Sequence, residues 1–472
     1  MGGCRVVLAV RTRHRGRHRM ASQEVNDPAH SVSTASRVGF GLGDFGFVML
    51  WQGCALFLLY FYTEILGLPP LLAGAIYMAG MIWDAVSDPF VATWTERRAR
   101  KVGRYGGLIG AAALPLAFAY PLLFSQPFTG LMPAALWALV THIAFRTAYT
   151  FASMPYNTMP ARLTREPGIR NSLAALRVMG AALGALTAAL ATPALIEALQ
   201  LPLGEGPAYL VAAIVLGGLA GASLWACTGM MSEPRHPPAQ GEGADSYRAK
   251  LALAFRRALS DPRFARLMIF MALATLSFGF YTQSVLYLVN YHFQRPDLVP
   301  LALGLPALVM IPFAPVWAAL AHHLSKTTTL IVGLAVAALG YAGLALMPQS
   351  AAAPALGFMV LAAIGNACLP VMFWSILPDA IDAHGDRTGS RIEARMFGLA
   401  TFVQKSSAGL AGLIIGLSLN LAGHQASGSD TASEPVRLTI VLVSTVLPAL
   451  CLVALIAVVR GYNRVRNEAP GQ

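Results

Sequence analysis

Apolar residues in this chain run in long stretches, and most of the charged ones lie in the intervals between them. A helix needs roughly 20 apolar residues to cross the hydrocarbon core of a bilayer. Runs of that kind occupy residues 38–66, 69–94, 105–125, 131–161, 172–200 and 207–230. After a polar interval they resume at 264–292, 297–322, 327–347, 352–382, 393–421 and 436–460. The pattern predicts an all-α membrane protein with twelve transmembrane helices. It divides into a basic tail (1–37), a six-helix bundle (38–230), a linker (231–263), a second six-helix bundle (264–460) and a short tail (461–472). The linker carries EPRHPPAQGEGADSYRAK and then the amphipathic LALAFRRALSD.

Composition supports that reading. Hydrophobic residues make up 56% of the 472 and charged residues 12%, about half the share usual in a soluble globular protein. The net charge of +12 would suit a nucleic-acid partner, but the positive charges sit in short loops and at the termini. With the N-terminus placed in the cytoplasm, the inner loops and C-terminal tail hold 21 Lys and Arg. The outer loops hold two, Arg295 and Arg437. That asymmetry is the positive-inside pattern, and it puts both termini in the cytoplasm of a multi-pass inner-membrane protein. The cysteines (Cys4, Cys54, Cys227, Cys368 and Cys451) are scattered and show neither a disulfide framework nor metal-ligand spacing. Met1–Arg19 carries six arginines behind a short apolar patch, the wrong order for a signal peptide. A start at Met20 and a cytoplasmic tail are both consistent with it.

Ionisable groups at bilayer depth carry the candidate chemistry, since each costs at least ~2.5–3.5 kcal/mol to insert. The second helix contains IWDAVSDP. Its four-residue spacing puts Asp84 and Asp88 on one face, about 6 Å apart along the axis. Two such carboxylates need a cation, a proton or a basic partner. The fourth helix contains RTAYTFASMPYNTMP, in which Arg146, Thr150, Ser153 and Asn157 form one polar stripe. Both helices run from outside to inside, so Arg146 can face the aspartates. Pro155 and Pro160 free carbonyls nearby. Arg177 lies near the inner end of the fifth helix. Lys405, twelve residues into the eleventh, either reaches the central cavity or snorkels along the lipid face. Asp379 and Asp382 close the tenth helix opposite a basic loop that includes Arg391. With Arg97, Arg98 and Arg104 after the second helix, they form a candidate cytoplasmic latch. His142 reads as a packing residue, and Trp374, one turn above Pro378, as a candidate lining residue.

At these residues the sequence resembles the glycoside–pentoside–hexuronide:cation symporters, the family of melibiose permease. The resemblance rests on GFGLGDFG, LLYFYTEILGLP, IWDAVSDP, ERRARKVGRYGG, YTFASMPYNTMPARLT, RNSLAALR, LPDAIDAHGDRTGSRIEARMFGL and FVQK, in that order along almost the whole chain. It implies a major facilitator fold with alternating access, coupling sodium, lithium or a proton to sugar uptake. By the same resemblance Asp84, Asp88 and Thr150 match cation-site residues, Lys405 a lysine near that site, and Arg177 a sugar-contacting arginine. Val48 stands where that family has a sugar-binding aspartate, Ser153 at a second, and Asn157 at a stacking tryptophan. Arg146 replaces a small residue. Arg146 or Lys405 would then neutralise the aspartates internally. With one fixed positive charge against two carboxylates, a single proton balances the pair.

The expected function is secondary active transport of a sugar or glycoside by H+ or Na+ symport. Asp84, Asp88, Thr150, Ser153, Arg146 and Lys405 are the coupling candidates, and Arg177, Asn157, Trp374 and Val48 the substrate candidates. The expected partners are a small-molecule substrate, the co-transported ion and membrane lipids; no cofactor, resident metal or nucleic acid is implied. The missing sugar carboxylates leave room for a less polar cargo, such as a lysolipid, or for export. An enzyme reading rests on the superficial likeness of Asp84-x-x-x-Asp88 to prenyltransferase motifs, and twelve spans are too many for that.

Overall fold

The computed structural model describes residues 32–164, 166–233, 262–388, 393–425 and 432–467, and the regular structure among them is helical. Twelve segments are long and apolar enough to cross a membrane. They are α1 (Thr34–Leu58), α2 (Pro70–Ala99), α3 (Gly106–Leu123), α4 (Leu131–Pro160), α5 (Gly168–Leu203) and α6 (Glu205–Met230). The second set is α7 (Phe264–His292), α8 (Pro296–His323), α9 (Lys326–Ala345), α10 (Gln349–Pro378), α11 (Met396–Leu421) and α12 (Glu434–Arg460). The local signals that bound them are ordinary. Ser33 caps α1 by accepting from the Ser36 amide at 3.1 Å. The helix of α2 runs on to Val102 and stops at Gly103, whose φ of 76° favours a residue without Cβ.

The packing repeats with an offset of six helices. Within the first half α1 lies against α5 and α6, α2 against α4, and α3 against α4 and α6. Within the second, α7 lies against α11 and α12, α8 against α10, and α9 against α10 and α12. The two principal contacts between halves obey the same rule, α2 against α11 and α8 against α5. The irregular turns recur in part, since α12 carries a further one at Leu442–Val446 without a counterpart in α6. Helical structure ends in π turns in and after α1 (Cys54–Leu58 and Phe61–Ile65) and at the end of α7 (Leu288–His292).

Glycines set the depth of the α2–α11 contact. A Cβ on Gly74 would sit 2.7 Å from the Gly412 carbonyl oxygen, and one on Gly409 would sit 2.9 Å from Met81 Cβ. Below that contact the same two helices bring Asp84, Asp88 and Lys405 together. The π turns close one end of the molecule. Thr63 and Tyr287 share a hydrogen bond of 2.6 Å, Asn290 donates to Tyr60 at 3.0 Å, and Glu64 meets His424 at 2.9 Å and accepts from Tyr291. On the orientation predicted from the basic loops, this sealed end faces outward.

Toward the opposite end, Glu233 holds the loop between α2 and α3 within its own half. It accepts from the Tyr105 and Gly106 amides at 2.7 and 2.9 Å, at the start of α3, and lies 3.6 Å from Arg162. Arg97, Arg98 and Arg104 are exposed there. Asp379 and Asp382 lie on the helix Cys368–Thr388; their side chains, and all of Arg391, lie outside the described residues, as does most of the linker.

Replacing Gly412 by Val places a side chain against Tyr77 and Gln283, where a Cβ alone would come within 2.8 and 2.6 Å. The expected loss is about 1–3 kcal/mol, read as a lower thermal unfolding midpoint in detergent. Gly218→Ala, with nothing within 4 Å of its added Cβ, should leave that midpoint unchanged.

Candidate functional site

Two polar clusters lie inside the first half, and one of them reaches into the second. The larger is built on α2 and α4. Asp84 is fully buried and Asp88 15% exposed, one helical turn apart as the sequence spacing requires. Thr150 on α4 donates to Asp84 Oδ1 at 2.8 Å and stands 3.2 Å from Asp88 Oδ1. Lys405 crosses from α11, its Nζ 3.0 Å from Asp84 Oδ2 and 2.5 Å from Asp88 Oδ2. It does not snorkel: its side chain is 14% exposed. Ser153, one turn on, is buried but hydrogen-bonds neither carboxylate among the described residues.

Arg146 completes the cluster. Its side chain is 1% exposed and its guanidinium lies 3.8 Å from Asp84 Oδ2. The indole of Trp51 stacks against it at 4.7 Å and the ring of Phe145 lies at 5.6 Å. Its Nε donates to His142 Nε2 at 3.2 Å. His142 is therefore more than the packing residue its sequence context suggests. A ring that accepts at Nε2 is neutral and carries its hydrogen on Nδ1. Gly80 makes room for it on α2, since a Cβ there would collide with the imidazole. The helices run through Pro89, Pro155 and Pro160 without breaking.

The second cluster joins α1, α4 and α5. Arg177 lies 2.5 Å from Asp44 Oδ2 and donates to Asn157 Oδ1 at 2.8 Å. Its side chain is 40% exposed while that of Asp44 is 6% exposed. The α1 carboxylate that meets Arg177 is thus Asp44; Val48, half-buried one turn further on, does not take its place. Tyr149 packs against Trp51 and Phe47, next to Arg146's partner Trp51. Trp374 stacks on Phe397 at 6.0 Å, with both rings exposed. Among the described residues no contact ties this aromatic pair to Arg177 or Asn157.

Chemically, the first cluster can exchange charge. It sets two carboxylates against one fixed guanidinium and one ammonium that belongs to the other half. The second offers donors and acceptors side by side. Ionisable groups buried at this depth mark an intramembrane functional site.

The sequence model of the MFS/sugar transport protein family matches residues 39–463. The chain belongs to that family. Its members are transporters and not enzymes, and with its twelve spans the chain is a multi-pass inner-membrane protein. It is 26% identical to the uncharacterized symporter YnaJ of Bacillus subtilis (strain 168), over 93% of this chain and 94% of that one. It is 25% identical to the putative glycoside/cation symporter YagG of Escherichia coli (strain K12), over 89% of each. It is also 25% identical to sodium-dependent lysophosphatidylcholine symporter 1 of Gallus gallus, over 90% of this chain and 86% of the relative. The crystal structure of the nucleoside transporter NupG superposes with a TM-score of 0.65 at 14% identity, covering 90% of this chain and 98% of that one. That likeness shows the major facilitator fold expected from the 6+6 layout.

Removing one member of a buried charge pair leaves the other uncompensated, at a typical cost of about 3–5 kcal/mol. Lys405→Met should therefore lower the unfolding midpoint clearly. Adding Asp88→Asn to Lys405→Met should restore much of it, because the double change removes one charge of each sign. A non-restoring double variant would show that Lys405 acts by packing alone.

Proposed function

We propose that this chain is a cation-coupled symporter of a sugar or glycoside, working by alternating access between its two halves. One observation carries the reading. Lys405 of the second half closes onto Asp84 and Asp88 of the first, so relative motion of the halves and the charge state of the carboxylates depend on each other. A cation can drive transport only if it binds the available conformations unequally. A carboxylate pair whose counter-ion belongs to the opposite half meets that condition. Arg177, Asp44 and Asn157 supply the substrate side. A polyhydroxylated ligand both donates and accepts hydrogen bonds, and this triad offers a guanidinium, a carboxylate and an amide within one another's reach. The likeness to YagG supports a glycoside as cargo.

A second reading has its own observation. The likeness to the lysophosphatidylcholine symporter covers as much of the chain, and the exposed Trp374–Phe397 pair offers an apolar face that a lipid tail could use. Reconstituted protein distinguishes the two. Under an imposed pH or sodium gradient, the sugar reading expects one member of a glycoside, pentose and uronate panel to accumulate. Arg177→Ala should lower that uptake at least about tenfold, the scale of a lost charged hydrogen bond. Asp84→Asn should abolish accumulation. Uptake of lysolipids alone would replace the sugar reading with the second one.

A further inference from the structure

The carboxylate site already contains a cation that cannot leave. We propose that Arg146 acts as a tethered counter-ion that bars sodium from the Asp84–Asp88 site, leaving a proton as the coupling ion, and that His142 and Trp51 are its positioning residues. The inference rests on the reading of Asp84 and Asp88 as the coupling centre and names the ion that centre selects.

The geometry argues it in both states of the interface. With the halves together, Lys405 occupies Oδ2 of both aspartates, and Thr150 spends its hydroxyl hydrogen on Asp84 Oδ1. Two cations already balance two carboxylates, so a sodium ion would add net positive charge to a buried site. With the halves apart, Lys405 departs with α11 while Arg146 stays. A guanidinium does not give up its proton in proteins. It is held from three sides by Trp51, Phe145 and His142. Arg146 then keeps a fixed positive charge 3.8 Å from Asp84 Oδ2, and the oxygens left to a cation are those of Asp88, the Thr150 hydroxyl and Asp84 Oδ1. A hard cation needs several oxygens around it, and a sodium ion gathered among these would sit against the guanidinium, with which it shares the Asp84 carboxylate. A proton needs a single oxygen, and Asp88, the more accessible aspartate, offers it. The ring of His142 has a specific part in this. Because its Nε2 accepts from Arg146 Nε, it fixes the turn of the guanidinium that points NH1 toward Asp84. Removing it frees Arg146 to swing away and uncovers Asp84 as a second ligand.

The test needs no substrate. Purified full-length protein is unfolded thermally in sodium chloride and in choline chloride of equal strength. The wild type is expected to show the same midpoint in both. Arg146→Ala is expected to unfold about 2 °C or more higher in sodium than in choline, as a protein that has gained a ligand does. Asp88→Asn in the Arg146→Ala background should erase the difference. His142→Ala should gain a smaller sodium response than Arg146→Ala, which a merely structural histidine would not produce. If Arg146→Ala does not fold, Arg146→Met and direct binding of radioactive sodium serve the same purpose. A sodium-specific shift in the wild type overturns the proposal, and so does an Arg146 variant that folds and gains no sodium binding. Failure of the wider reading looks different: Asp84→Asn would still accumulate substrate, whatever the sodium measurements gave.

Discussion

The contact between Lys405 and the two aspartates is the interaction on which the rest of the structure depends. Here an ion pair inside the membrane joins the two halves of the chain. Charges taken out of water lose more in hydration than an isolated pair returns, unless the geometry is good and further hydrogen bonds satisfy the remaining lone pairs. Here Thr150 supplies one such bond and Arg146 a second positive charge. On the coupling proposed above, neutralising one carboxylate would weaken the bridge and make the packing of the halves depend on protonation.

The six-helix offset also orders this interface. The halves meet mainly along α2–α11 and α5–α8, two contacts related by the same repeat. Close helix approach at Gly74, Gly409 and Gly412 lets the backbones of α2 and α11 meet there. The bonds among Tyr60, Thr63, Glu64, Tyr287, Asn290, Tyr291 and His424 close only one end. Toward the other, Arg177 remains reachable. The α4 residues that meet the two clusters, Asn157 beside Arg177 and Thr150 beside Asp84, lie about two helical turns apart, and on the function proposed above they would link substrate and charge.

Much of this could be read from residue types and spacing. Apolar run length gave twelve spans, and the four-residue interval put Asp84 and Asp88 on one face. The stripe on α4 brought Arg146 and Thr150 toward them. Lys405 was ambiguous, because an isolated lysine on an apolar helix has the same local pattern whether it faces lipid or a carboxylate; only the partner helix decides. Asp44 was missed although it lies within an apolar run and the rule that marks Asp84 applies to it equally. By resemblance the matching position is Val48, four residues from Asp44 on the same helix. His142 carried no signal of its own. A buried histidine looks alike whether it packs or accepts from an arginine four residues later, and the space cleared by Gly80 belongs to another helix.

A distance measurement in membranes tests the central claim most directly. Spin labels at Leu201→Cys and Leu346→Cys, exposed positions at the sealed end of each half, report whether that end opens. The account predicts longer distances at pH 5.5 than at pH 8, no change on adding sodium at either pH, and low-pH distances at all pH values in Asp88→Asn. A distance distribution that ignores pH, or one that shifts with sodium in the wild type, would contradict it.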